Sequence, residues 1–301
     1  MSSTPIAPDV TPGERGSRRA MLPDGRGVGY ADWGDPDGRP VLFFHGTPAS
    51  RLAVEWAEVG AAERGVRLLS LDRPGIGLSD PAPGRSLLDW ARDVDAFADA
   101  LGLDRFAIAG WSGGGPYVLA CAYALSDRLT DAAVLSGCGP LDSGFARRSS
   151  AMFDRTLLAL SLRAPRVGRL LLRPAEIAAR RTPRLAAKSA EQDMSPTDLE
   201  IFRRLNPDPR RAMDFFVEAF RNGSAGVVDD YRVLASPWGF EPEQVEFPVH
   251  FWHGDDDRIV VIAEARAVAQ RMPHSTFTTI PGEGHMMMMA HFEEILDALS
   301  A

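Results

Sequence analysis

The chain reads as an α/β protein in which a mostly parallel central sheet is flanked by helices. Three observations predict this class. Short apolar runs alternate with helical patterns. One glycine-rich turn, Gly110-Trp111-Ser112-Gly113-Gly114, joins such a run to a helical pattern. Between residues 142 and 235 only helical patterns occur, and strand character resumes at Val249. A helical stretch set between two strands reads as an insertion.

The elements follow in order. Residues 1–18 are rich in Pro, Gly and Ser and read as a loose arm. Arg19–Leu22 and Gly27–Trp33 are strand-like and are split by Pro23-Asp24-Gly25, a hairpin signal. Val41–Phe44, Val66–Leu71, Phe106–Ala109, Ala132–Ser136 and Val249–His253 are apolar on both faces, as buried parallel strands are. Ser275–Ile280 reads as an edge strand. Ser86 and Asp89 form a capping-box pattern ahead of Leu87, Trp90, Val94, Phe97 and Leu101, which recur at helical spacing up to Gly102. Tyr117–Leu125 is apolar all round, as a helix buried against a sheet is. Phe292, Ile295, Leu296 and Leu299 make a last amphipathic stripe. Within 142–235 the helices are expected to be bounded by Pro165, Pro174, Pro183, Pro196, Pro207 and Pro209.

Composition narrows the function classes. The 301 residues are 45% hydrophobic and 25% charged, with a net charge of −8, which excludes a fully disordered chain and gives no overall electrostatic footprint for nucleic acid. Two cysteines, Cys121 and Cys138, make no disulfide framework and no CxxC clamp, so a reducing, cytoplasmic setting is expected. Residues 1–20 hold no apolar signal region, and the longest apolar run, Tyr117–Leu125, is too short for a stable membrane insertion. The expected partner is a small-molecule substrate. Residues 141–190 hold ten arginines and one lysine against Asp142, Asp154 and Glu176. Solvated helix faces account for that charge; a basic lid toward anionic substrates or lipid is the alternative.

Gly110-Trp111-Ser112-Gly113-Gly114 fits the Gly-x-Ser-x-Gly pattern, with a strand before it and a helix after it. A turn this tight lifts the Ser112 hydroxyl above the sheet, and side chains at 110 and 114 would collide, so both positions are glycine. Pro116 falls in the first turn of the helix, where a missing N–H is harmless. Such a serine needs a base. Of six histidines, His285 lies in the loop Pro281-Gly282-Glu283-Gly284-His285, able to reach back over the sheet edge. His250 and His253 lie on a strand and read as structural; His274 and His291 lie beside helix ends and are expected to be exposed. The base needs an orienting acid, and Gly254-Asp255-Asp256-Asp257 offers three. Asp257 is preferred because it falls past the turn, with Asp142 as an outside candidate. For the oxyanion, Gly113 offers a backbone N–H, and His45-Gly46-Thr47-Pro48 offers that of Thr47, since Pro48 has none. His45 reads as stabilising its turn.

Together with Asp72-Arg73-Pro74-Gly75-Ile76-Gly77-Leu78-Ser79, these motifs run in the order of a known superfamily. The chain resembles α/β-hydrolase-fold serine hydrolases with an inserted helical cap. The resemblance implies a core of residues 1–141 and 236–301, a cap of residues 142–235, and a structural Asp72–Ser79 turn. It also implies a triad of Ser112, His285 and Asp257, no cofactor or metal, and ester-type hydrolysis. Ser112 stands where epoxide hydrolases and haloalkane dehalogenases carry aspartate, which argues against those activities. Trp111 precedes the serine, whereas proline iminopeptidases read Gly-Gly-Ser-Trp-Gly. Two other classes stay open: a receptor that keeps the pocket but turns over slowly, and a C–C hydrolase or cofactor-free oxygenase of the same fold. Met152, Phe153, Leu157, Leu158, Phe202, Phe215, Phe216 and Phe220 are expected to supply an apolar pocket, with Met286–Met289 packing the last helix and in part lining it.

Overall fold

The computed structural model describes residues 15–141, 159–161, 163–182, 188, 191–205 and 213–299. Its strands are β1 (Arg18–Met21), β2 (Gly27–Gly34), β3 (Arg39–Phe44), β4 (Val66–Leu71), β5 (Phe106–Trp111), β6 (Leu129–Leu135), β7 (Val249–Gly254) and β8 (Ser275–Ile280). They form one sheet in the order β1-β2-β4-β3-β5-β6-β7-β8. From β4 across to β8 every neighbouring pair is parallel, while β2 is antiparallel to both β1 and β4. The chain leaves β3 for β4 on one side and returns for β5 on the other. That reversal opens a crevice beyond the carboxyl ends of β3 and β5, where ligands of such sheets sit.

Each expected run becomes a strand; Val66–Leu71 and Ser275–Ile280 keep both ends, and the others shift by one to three residues at one end or both. Ser136 has φ 46°, outside extended backbone, so β6 stops at Leu135 rather than running to Ser136. Strand residues alternate between two apolar clusters. Leu42, Phe44 and Ile108 face one cluster; Val41, Phe43, Ala107 and Ala109 face the other. Helix α1 (Glu58–Glu63) joins β3 to β4. Helix α2 (Leu87–Ala100) starts at the Ser86–Asp89 capping box, with Asp89 accepting the Ser86 N–H at 2.7 Å. Its Trp90 meets Phe44 and Tyr117 edge to face, at centroid distances of 5.4 and 5.9 Å. Helix α3 (Gly115–Ala124) is buried along nearly all its length.

Helices α4 (Pro165–Arg181), α5 (Pro196–Leu205), α6 (Asp214–Ala219) and α7 (Ala225–Leu234) lie between β6 and β7. Pro196 opens a helix as expected, but Pro174 does not bound one: it lies inside α4. Its position is exposed, where water can take the carbonyl that the ring leaves without an N–H donor. Pro183, Pro207 and Pro209 lie outside the described residues, as do Asp142, Asp154, Met152, Phe153, Leu157, Leu158 and much of the arginine-rich stretch. Helix α7 comes down backbone to backbone on the Asp72–Ser79 turn: a Cβ on Gly226 would overlap the Gly75 carbonyl. Helices α8 (Ile262–Ala269) and α9 (Met287–Ala298) complete the chain. Among the described residues no helix is long and apolar enough to cross a membrane.

Candidate active site

Ser112 sits at the end of β5 with φ 55°, a left-handed conformation that side-chain-bearing residues rarely adopt. Its two flanking glycines are steric requirements. A Cβ on Gly114 would overlap the Phe44 carbonyl oxygen, and one on Gly110 would stand 2.6 Å from the Gly114 carbonyl oxygen. The turn therefore tolerates only glycine on either side, and it holds the serine above the carboxyl end of the sheet.

The loop after β8 brings His285 to Trp111, the neighbour of Ser112. The Trp111 indole donates to the His285 carbonyl at 3.1 Å, and the two rings lie 5.2 Å apart. His285 Nδ1 is 2.8 Å from Asp257 Oδ2. A carboxylate only accepts, so Nδ1 carries the proton of this contact, and in the neutral ring Nε2 is the basic nitrogen. Of the three aspartates after β7, Asp257 is the one that reaches His285. Asp255 is exposed and caps the Gly282 N–H, and Asp256 pairs with Arg258. The other Asp257 oxygen accepts the N–H groups of Ile259 and Val260, at 2.9 and 2.8 Å. Burial pushes the Asp257 carboxyl up, but His285 and His253 together outweigh it and hold the group well below the usual carboxylate range.

Two further residues support this pair, and sequence reasoning passed over their connections. His253, on β7, places its Nε2 3.1 Å from the same Asp257 Oδ2 and 3.0 Å from the Val260 carbonyl, so the carboxylate stands between two imidazoles. Asp198, at the start of α5, is fully buried and accepts three backbone N–H groups: Met286 at 2.7 Å, His285 at 3.0 Å and Ser195 at 3.3 Å. The Ser195-x-x-Asp198 capping pattern is visible in the sequence; its reach to His285 is not. Gly284 is glycine because a Cβ there would overlap the Asp198 carboxylate.

The loop after β3 arrives from the opposite side. A Cβ on Gly46 would stand 3.3 Å from the Ser112 Cβ, and one on Gly113 would stand 2.6 Å from Thr47 Oγ1. Thr47 and Gly113 are therefore neighbours, as a pair of oxyanion donors must be. Beneath them lies a buried charged cluster. Asp230, on α7, takes Arg73 side-on at 2.7–3.1 Å, Arg85 at 2.9 Å, and the hydroxyls of Tyr117 and Thr47 at 2.6 Å each. Burial pushes the Asp230 carboxyl up, but the Arg73 and Arg85 charges outweigh it and hold it ionised. Arg73 falls within the recognised Asp72–Ser79 stretch, but its partner lies 157 positions away. No local pattern joins them.

The remaining histidines separate. His250 bonds to the Thr276 hydroxyl, and His274 is exposed. His291 is not exposed beside a helix end as expected: it lies half-buried inside α9, between Glu283 at 2.9 Å and Glu294 at 3.2 Å. Met286, Met287, Met288 and Met289 are all buried in the apolar cluster that also holds Trp111 and Phe202.

A family model described as the alpha/beta hydrolase family matches residues 41–298. The chain belongs to this family. It is 37% identical over 122 residues to a non-heme chloroperoxidase from Streptomyces lividans, a match covering 39% of this chain and 44% of that protein, which is less than half of the relative's length. It is 24% identical over 283 residues to a non-heme chloroperoxidase from Burkholderia pyrrocinia, covering 89% of this chain and 92% of that one. Among solved structures it superposes on the esterase RhEst1 from Rhodococcus sp. ECU1013 with a TM-score of 0.68 at 20% identity, over 95% of this chain and 99% of that one. At that identity the likeness is one of fold.

Proposed function

We propose that this α/β hydrolase cleaves small apolar carboxylic esters or related acyl compounds through Ser112, His285 and Asp257. Ser112 Oγ attacks the acyl carbon as its proton passes to His285 Nε2. Negative charge collects on the former carbonyl oxygen, where the N–H groups of Thr47 and Gly113 receive it. His285 returns the proton to the departing alkoxide, the ester C–O bond breaks, and an acyl group remains on Ser112. Water, deprotonated by His285, then adds to the acyl carbon; the bond from that carbon to Ser112 Oγ breaks, Oγ takes the proton back from His285, and the acid leaves. The observation that carries this reading is the 2.8 Å contact from His285 Nδ1 to the buried Asp257, beside a serine held at φ 55°. Selectivity for apolar groups is supported by the cluster that Phe202 and Met286 share beside His285. Each methylene buried there would add about 0.8 kcal/mol to binding.

The test is labelling by a fluorophosphonate, followed by kcat/KM across p-nitrophenyl esters from acetate to decanoate. Adduct on Ser112 and a rise with chain length until the pocket fills are expected; adduct on another serine, or a flat series, overturns the reading. The two chloroperoxidase relatives favour halide oxidation as a second reading. Chlorination of a dione by peroxide and chloride, undiminished in Ser112→Ala, would move it to first place.

A further inference from the structure

The peptide unit between Gly46 and Thr47 is trans. Its carbonyl and its N–H therefore point in opposite directions. The Gly46 carbonyl faces inward. Arg73 Nη2 donates to it at 2.8 Å, and His45 Nδ1 lies 2.7 Å from it. The tautomer of His45 is fixed by its other nitrogen, since Nε2 lies 3.3 Å from the backbone N–H of Arg73 and must accept. Nδ1 thus carries a proton and gives it to Gly46. Burial and the Arg73 charge both push the His45 pKa well below its ordinary value, so the ring is neutral and the tautomer is defined. The same guanidinium donates to the His45 carbonyl and, at 2.7 Å, to Thr47 Oγ1. Thr47 Oγ1 spends its own proton on Asp230. The Thr47 side chain is therefore tied down into the cluster, and its N–H donates to no group among the described residues.

We infer that Arg73 and His45 are positioning residues that act through the Gly46–Thr47 peptide: by holding its carbonyl with two donors, one of them cationic, they aim and polarise the Thr47 N–H toward the oxyanion. A donor on a carbonyl draws electron density through the amide and makes its N–H a stronger donor, as in any chain of hydrogen bonds. The arrangement is preorganised, because both donors are fully buried and already bonded before substrate arrives. The inference rests on the proposed role of Ser112 and Thr47.

The experiment compares His45→Phe, His45→Asn and Arg73→Lys with Asp32→Asn, which weakens the ion pairs of a buried carboxylate on β2 with Arg18 and Arg67 and lies outside the Asp230 cluster. Three quantities are read on folded protein: kcat and KM for p-nitrophenyl butyrate, Ki for phenylboronic acid, whose Ser112 adduct is tetrahedral, and Tm. His45→Phe is expected to lower kcat about tenfold to a hundredfold at nearly unchanged KM, less than the about 10²–10³ of losing an oxyanion donor outright. Boronate affinity should weaken by the same factor. His45→Asn, which keeps an N–H near Gly46, should recover part of the loss, and Arg73→Lys should fall between. Asp32→Asn should lower Tm while leaving kcat in place. Equal kcat in His45→Phe and wild type, or a loss shared by Asp32→Asn in proportion to Tm, overturns the inference. If Arg73→Lys does not fold, the His45 pair decides alone. Wild-type labelling by fluorophosphonate separates the two levels: adduct on Ser112 with unaffected His45→Phe defeats only the carbonyl clamp, and no adduct on Ser112 defeats both readings.

Discussion

The loop after β3 and the loop after β8 both come to the Ser112 turn, and they are held by opposite chemistry. His45 and Gly46 turn their carbonyls inward to a cation, Arg73. Residues 285–286 turn their N–H groups inward to an anion, Asp198. One loop therefore has an N–H to spare for a developing negative charge, and the other leaves only the His285 ring to work with. The comparison also shows a shared dependence. Asp230 on α7 and Asp198 on α5 both belong to the helices between β6 and β7. Those helices thus hold both loops in place.

The largest effects should come where the two loops converge. Ser112→Ala should lower kcat by about 10⁴-fold or more, with the circular dichroism spectrum unchanged. Asp257→Asn should lower it by about 10³- to 10⁴-fold, while Asp255→Asn and Asp256→Asn leave rates close to wild type; stopped assays on one ester compare all three. Next is the anion-held loop. Asp198→Ala leaves three buried N–H groups without their acceptor, at about 1–3 kcal/mol each, and should lower kcat by about 10²-fold as His285 shifts. A Tm loss with kcat intact would make Asp198 a purely structural anchor and dissolve the symmetry between the loops.

For the cation-held loop, Asp230→Asn removes the anion shared by two buried arginines and should destabilise the fold by about 3–5 kcal/mol, measured by urea denaturation. The smallest effect separates the loops by pH. His45 is neutral in the folded state because its pKa is depressed, whereas the unfolded chain binds a proton near pH 6.5. Below that value the unfolded state gains protons, so stability falls with falling pH by at most about 1.4 kcal/mol per unit for this one group. Between pH 5 and 7, His45→Phe should show a shallower decline in unfolding free energy than wild type. Asp257 and Asp230 act in a lower window: their depressed values give stability that is full above about pH 4 and is lost as pH falls through the folded values.

Much of this architecture was legible in the sequence because it rests on local rules. The strands, the Ser86–Asp89 cap and the glycines around Ser112 each follow from period, propensity or a clash within a few residues. The connection from His285 to Asp257 was legible as chain order. What escaped is long-range and polar. Arg73 and Asp230 are ordinary charges until folding buries them together. Asp198 looks like a helix cap because it is one, and its remaining lone pairs are spent 87 and 88 positions away. His253 reads as a strand histidine, and only the turn after β7 shows that it shares an oxygen with His285. Pro174 misled because proline rules assume a buried carbonyl, and its position is exposed.

The contact of Gly226 on Gly75 bears on how this protein can be re-engineered. Exchanging the segment between β6 and β7 for that of a relative is the obvious way to change substrate range, on the premise that such segments are portable modules. Here the docking point is bare backbone on both sides, and a methyl group at position 226 would meet the Gly75 carbonyl. A transplanted segment must therefore bring a glycine at that point and two aspartates in register with Arg73 and with the His285 loop. Libraries that diversify this segment should hold Asp198, Gly226 and Asp230 fixed and vary the positions between them.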